Sequence, residues 1–143
     1  MPAPDSFVDT NILLYAISTD PTEAEKSTVA RNLLMTANWA WSAQVAAEFV
    51  NASTSARRPV PLTLVQAECW IDTWMAFLLI PTDGTIVKEA IRLAARYQIS
   101  YFDGQIVAAA KALRCRILYT EDLNHGQDYD GVRVVNPFVG SNP

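Results

Sequence analysis

Four carboxylic acids, Asp9, Glu48, Asp103 and Asp122, occupy positions from which a folded chain can gather them. Asp9 directly follows Phe7-Val8, a short apolar run of strand character, and Asp122 comes three residues after another such run, Ile117-Leu118-Tyr119, in Thr120-Glu121-Asp122. Glu48 falls on the second turn of a helix that Ser42 can cap, and its neighbours Val45, Ala46, Ala47, Phe49 and Val50 are apolar, which favours an inward direction. Asp103 lies in the first turn of a helix begun by Ser100. Structural accounts stand beside each of these. Asp103 fits the third-position acid of a capping box, Glu48 a solvated helix acid, and Thr120 to Asp122 a polar loop with a helix-starting cap. Asp9 resists such an account, because an acid at the end of a buried strand needs a partner for its charge.

Carboxylates a few ångströms apart raise one another's pKa and ionise together only around a cation. Oxygen donors without histidine or thiolate select Mg²⁺ or Mn²⁺ over zinc or copper. Hydrolysis of a phosphodiester is the chemistry that a pair of such ions serves, with no side-chain nucleophile required. Zinc is disfavoured: the chain has one histidine, His125, and two cysteines, Cys69 and Cys115, which read as small buried hydrophobes in a reducing compartment. The balance of 15 acidic against 11 basic residues would repel a polyanion. With the four acids neutralised by ions, 11 acids face 11 bases and that objection disappears.

The elements that must position these acids alternate. Strand character marks Ser6 to Asp9, Trp39 to Trp41, Phe77 to Ile80, Arg116 to Tyr119 and Val132 to Val135. Helices are expected from Ile12 to Ile17, from an Asp20-Pro21-Thr22-Glu23 start to about Met35, from the box Thr63-Leu64-Val65-Gln66 to about Met75, after Asp83, and after Ser100. Such alternation predicts an α/β fold, a three-layer α/β/α sandwich with a mostly parallel central sheet of about five strands. In sheets of this kind ligands bind beyond the carboxyl ends of the strands. With 143 residues, half of them apolar, and no repeat or linker, residues 1–143 are expected to form a single domain, loose only at Met1 to Asp5 and Gly140 to Pro143. No apolar stretch is long enough for a bilayer and no secretory start is visible, so a cytoplasmic protein without a membrane partner is expected.

The segments FVDTNILLY at 7 to 15, SAQVAAEFVN at 42 to 51, YFDGQIVAAAKALRC at 101 to 115 and LYTEDLNHGQDYDGVRVVNPF at 118 to 138 resemble, in order, the four motif blocks of PIN-domain ribonucleases, with the VapC toxins of toxin-antitoxin pairs the nearest likeness. The resemblance implies that Asp9, Glu48, Asp103 and Asp122 hold Mg²⁺ or Mn²⁺. It implies that Asn11 and Thr120 support the acids or touch phosphate, and that Ser42 supports the second block. Glu121 and Asp122 are adjacent, and strand-end spacing together with the family pattern favours Asp122 as the fourth acid. The implied activity is endonucleolytic cleavage of RNA, often a transfer or ribosomal RNA, restrained by a cognate antitoxin protein, in a homodimer. Gly104 stands where relatives commonly carry alanine, and is expected to loosen the helix start slightly.

For RNA contact the sequence offers Arg57 and Arg58 in a proline-flanked loop; the remaining basic residues read as solvated helix faces. The aromatic segment Trp70, Trp74, Met75 and Phe77 is expected to be mostly core, with some of it free for a dimer seam or an antitoxin groove. Other functions draw on some of the same residues. A PIN-like module that binds RNA or a partner without turnover keeps the same residues. A phosphoaspartyl phosphatase would want a second acid two residues after Asp9, where Asn11 stands, and a receiver domain would want a lysine after its last strand, where Asn136-Pro137 follows. A serine or histidine hydrolase lacks the Gly-x-Ser-x-Gly turn.

Overall fold

Ser6, Phe7 and Val8 are all buried, as a strand covered on both faces must be, and form β1 (Ser6–Val8) in the interior of the sheet. The computed structural model describes residues 2–140, so Met1 and residues 141–143 of the two end segments lie outside it. After β1 come α1 (Thr10–Ile17), a 3-10 turn (Pro21–Glu23), α2 (Ala24–Thr36), β2 (Trp39–Ser42), α3 (Ala43–Ser53) and α4 (Leu64–Trp74). The chain continues through β3 (Leu79–Ile80), α5 (Gly84–Tyr97), α6 (Tyr101–Ala112), β4 (Ile117–Tyr119), β5 (Asp128–Tyr129) and β6 (Val132–Val135).

The strand order is β3-β2-β1-β4-β6-β5, and every neighbouring pair is parallel except β5 with β6. From β1 the chain steps outward to β2 and β3, then crosses back past β1 to β4. Right-handed crossovers put α1 to α4 on one face and α5 with α6 on the other. Packing follows: α1 touches α2 and α3, α3 touches α4, and α5 lies against α6. The three-layer arrangement is as expected, with a sixth strand added. That strand, β5, joins β6 through Asp130 and Gly131 at φ 56° and 98°. Two left-handed residues make a tight hairpin turn, and Asp-Gly before an apolar run is its sequence signal.

Helix starts follow their caps. Ser42, Thr63, Asp83 and Ser100 each accept a hydrogen bond from the backbone N–H three residues on, and Gln66 completes the box with Thr63. Asp20 caps the 3-10 turn, and α2 begins only at Ala24. The third strand is shorter than expected, because Phe77 stacks on Trp39 at 4.0 Å and gives its carbonyl to Trp41 Nε1. Trp74 is buried between Trp41 and Phe49, whereas Trp70 and Met75 are 38% and 55% exposed. Cys115 is buried as expected, but Cys69 is exposed on α4, away from the face that carries Ala67 and Trp74 inward. Among the described residues no helix is long and apolar enough to cross a membrane.

Gly104 corrects its expectation. Rather than merely loosening a helix start, it lets α6 approach α5: a Cβ here would meet the Ala90 carbonyl oxygen at 2.6 Å and Ala94 at 3.3 Å. Ala90 and Gly104 are both buried, so the contact has no flexible end to give way. The close pairing sets where the first turn of α6, and hence Asp103, stands.

Candidate active site

The connections on one side of β1 run outward to β2 and β3, whereas the connection from β3 returns past β1 to β4, so the crevice beyond the ends of β1 and β4 is a topological switch point. Asp9 and Thr120 are the residues that follow these two strands, and the Asp9 N–H donates to the Tyr119 carbonyl at 3.0 Å. The ladder therefore carries two polar side chains to one edge. Asp9 caps α1 by accepting from the Thr10 N–H at 2.7 Å, and its other oxygen accepts from the Thr120 hydroxyl at 2.8 Å. Asp9 is only 5% exposed. Burial pushes its pKa up to about 7, against the pull of the Thr120 and Thr10 hydrogen bonds, with the charges of Asp122 and Glu48 adding to the rise.

Thr120, fully buried, is the hub of the edge. Its hydroxyl donates to Asp9 and accepts from Asn11 Nδ2 at 3.2 Å and from the Asp122 N–H at 3.1 Å. Asn11 Nδ2 also donates to Asp122 Oδ2 at 3.1 Å, which links α1 to the loop after β4. Asn11 Oδ1 is buried and has no hydrogen-bond donor among the described residues.

Glu48 comes in from α3, whose start Ser42 fixes by accepting from the Val45 N–H. Its two oxygens accept from the Thr10 hydroxyl at 3.0 Å and from Gln44 Nε2 at 2.8 Å. Asp103, in the first turn of α6, has its pKa raised by burial, opposed by Ser100 and assisted by the charges of Asp122 and Glu48. Ser100 Oγ accepts from the Asp103 N–H, which is half of the capping box considered for it. Asp9 and Asp103 thus each feel the charges of Asp122 and Glu48.

Glu121 belongs elsewhere: it accepts from Tyr15 OH at 2.7 Å and pairs with Lys26 at 3.1 Å, leaving Asp122 as the acid of the loop that faces Asn11. Arg57 is exposed; Arg58 lines a groove of about 610 Å³ that reaches Asn11 and Glu121 between α1 and the loop after α3. Thr10, Gln44 and Gln105 enter the site without having been singled out from the sequence. Thr10 sits beside an identified acid, a usable signal; the glutamines lie on helix faces where only three dimensions reveal a partner.

The family model for the PIN domain matches residues 6–127, which include all four acids. The chain belongs to the PIN-domain family. No curated protein sequence matches it. Similar solved structures include a toxin-antitoxin complex from Klebsiella pneumoniae, at 21% identity and TM-score 0.67, covering 92% of this chain and 97% of that one. Another is VapC20 of Mycobacterium tuberculosis, a sarcin-ricin loop cleaving toxin, at 18% identity and TM-score 0.66, covering 82% and 89%. A third is DNA-bound VapBC of Salmonella typhimurium, at 14% identity and TM-score 0.63, covering 92% and 96%. These likenesses are of fold.

In this PIN domain the donors at the switch point are carboxylates, hydroxyls and amides, a hard-oxygen set that fits Mg²⁺ or Mn²⁺ and not zinc. The donorless Asn11 Oδ1 and the buried carboxyl of Asp9 are the two groups that a cation would relieve. As the side chains stand, no three His, Cys, Asp or Glu among the described residues close on one ion position. The neutral donors Thr120, Asn11, Thr10 and Gln44 hold the acids in separate hydrogen bonds, which a shared ion would have to exchange.

Proposed function

We propose that this PIN domain is an endoribonuclease dependent on Mg²⁺ or Mn²⁺, the toxin of a toxin-antitoxin pair, with residues 1–143 forming one domain. The observation that carries the reading is Asp9, buried at the switch point with its pKa raised to about 7 and the acids Asp122 and Glu48 among the causes. A carboxyl raised chiefly by burial, with two further carboxylates adding to the rise, is a group that a bound cation would relieve.

Asp9, Glu48, Asp103 and Asp122 would hold the ion or ions. When bound, these supply the positive charge that polarises a phosphodiester and offsets the acids. The chain's own residues do the rest. Thr120 orients Asp9, Asn11 orients Asp122, and Thr10 with Gln44 fixes both oxygens of Glu48. Ser42 anchors α3, and Glu121 is kept out of the cluster by Lys26 and Tyr15. Arg57 and Arg58 lie on the loop beside the groove and would meet RNA phosphates.

A fold neighbour that forms a toxin-antitoxin complex supports a cognate antitoxin, and the neighbour that cleaves the sarcin-ricin loop supports a structured RNA as substrate, with ribosomal and transfer RNA the two candidates. Exposed Leu64, Val65, Met75 and Leu78 supply apolar surface of the kind a homodimer covers. A cytoplasmic location accords with an RNA target. The test is incubation with total RNA followed by sequencing of new 5′ ends. Cutting should require Mg²⁺ or Mn²⁺, cease with chelator, and vanish in Asp9→Asn with circular dichroism unchanged. Cutting by that variant at the wild-type rate refutes the assignment. The separation of the acids favours a second reading, an RNA- or partner-binding module without turnover; RNA retained on the protein but uncut in the same assay would establish it.

A further inference from the structure

The middle of α6, buried all round, carries an oddity. Residues 104–110 are all buried, and all are glycine or apolar except Gln105, which is 7% exposed. A buried amide persists only where its donors and acceptor are matched. Here the match is directional. Tyr101 OH donates to Gln105 Oε1 at 2.6 Å, Gln105 Nε2 donates to Gln44 Oε1 at 2.8 Å, and Gln44 Nε2 donates to Glu48 Oε1 at 2.8 Å. Gln44 Nε2 also donates to the Phe102 carbonyl at 3.2 Å. An amide has its donor on one atom and its acceptor on the other. If Gln44 turned over, its oxygen would face the Glu48 carboxylate and the Phe102 carbonyl, and its NH₂ would face that of Gln105.

We propose that Gln44 and Gln105 are positioning residues of the metal site, a one-way relay of donors from Tyr101 that holds Glu48 in place against the first turn of α6. The relay rests on the nuclease reading above. It joins α3, which carries Glu48, to the residue preceding Asp103, and so sets the separation of two acids from different helices. Thr10 pins the second Glu48 oxygen from α1, so the carboxylate is held from two sides. Removing Gln44 takes away one of the two bonds that hold Glu48, and removing Gln105 takes away the donor that fixes Gln44, in neither case deleting a carboxylate.

The experiment measures Mn²⁺ affinity by titration calorimetry, and the thermal midpoint, for the full chain and for Gln44→Met, Gln105→Met and the double variant. Methionine keeps length and apolar volume and removes the amide. Loss of a group that orients a ligand weakens metal binding by about 10- to 100-fold, the range expected for Gln44→Met; Gln105→Met should lose about tenfold. The double variant should bind no more weakly than Gln44→Met, because Gln105 acts only through Gln44. A purely structural role predicts lowered midpoints with unchanged Mn²⁺ affinity, and that result, or losses that multiply in the double variant, overturns the relay. Should Gln105→Met fail to fold, Tyr101→Phe removes only the first donor; unchanged affinity in both Tyr101→Phe and Gln44→Met likewise overturns it. Asp9→Asn separates the two readings. If it abolishes Mn²⁺ binding while Gln105→Met does not alter it, the relay alone falls. If the wild type binds no Mn²⁺, the nuclease reading falls and the relay with it.

Discussion

Replacing Asp9 by asparagine should change the stability of the metal-free protein in opposite directions at low and high pH. Burial holds the Asp9 carboxyl at about 7 in the folded chain, against 3.8 for an unperturbed aspartate. The folded state therefore binds this proton more tightly than the unfolded chain. Its stabilising contribution is complete below pH 3.8, declines as pH rises, and is gone above about 7. Across that window the wild type loses about 4 kcal/mol. Asparagine does not titrate and escapes the loss. It can still accept from the Thr10 N–H, but its NH₂ would meet a Thr120 oxygen that already accepts from Asn11 and Asp122, and the Thr120 hydroxyl proton would lose its acceptor. That mismatch costs about 1–2 kcal/mol at every pH. Asp9→Asn should thus be the less stable protein near pH 4 and the more stable by about 2–3 kcal/mol at pH 8, which is roughly 5–10 °C in midpoint for a chain of this size. Circular dichroism melts from pH 4 to 8 in the presence of chelator measure both arms. Parallel curves for the two proteins would refute the claim that burial controls Asp9. Added Mn²⁺ should raise the wild-type midpoint, as any ligand that prefers the folded state does, and leave the variant where it was.

Gly104→Ala should lower the unfolding free energy by about 1–3 kcal/mol, read as a lower urea midpoint with an unchanged denaturant slope, since its methyl would meet a backbone carbonyl at 2.6 Å. Asp122→Asn should lower RNA cutting by at least about a hundredfold while Glu121→Gln leaves it within about threefold, because only Asp122 bonds Asn11 beside the cluster; equal losses in a cleavage time course would show that both acids serve the site. Arg57→Ala and Arg58→Ala should each weaken RNA retention and reduce the slope of log affinity against log salt by about 1, measurable by filter binding of an Asp9→Asn background; an unchanged slope would remove the loop from the RNA path.

The strand-end rule made much of this molecule legible before any coordinates. Asp9 and Thr120 follow strands that pair in parallel, so their proximity is a property of register, and helix caps at Ser42, Thr63, Asp83 and Ser100 announced themselves by residue type. Elements without a local signature did not. Phe77 has strand propensity, yet the face of Trp39 outweighs a ladder position. Gly104 looked like a weak helix residue because its neighbour across α5 is about fourteen positions away and invisible to local pattern. Gln44 and Gln105 are 61 residues apart, and no periodicity connects them. The β5 hairpin is signalled only by Asp130-Gly131, since two residues of strand leave almost no alternation to see.

The chain contains its own control for what its acids are doing. Glu89 and Asp130 also sit close together, but Arg92, Lys111 and, more distantly, Arg96 stand among them. Hydrogen bonds from Arg92 and Lys111 hold Glu89 down to about 2, and those from Lys111 and Arg92 hold Asp130 down to about 2. That is how a structural ion network behaves. At the switch point the shift has the opposite sign: Asp9 is up to about 7, and every group that lowers it is neutral. Lys26, on α2 beside the loop after β4, is spent on Glu121 and Tyr15. A fold able to place three cations around one acid pair has here set Asp9 between two threonines, Asp122 beside an asparagine and Glu48 beside a threonine and a glutamine. Those groups orient carboxylates without discharging them, and the charge left over is what a divalent ion would meet.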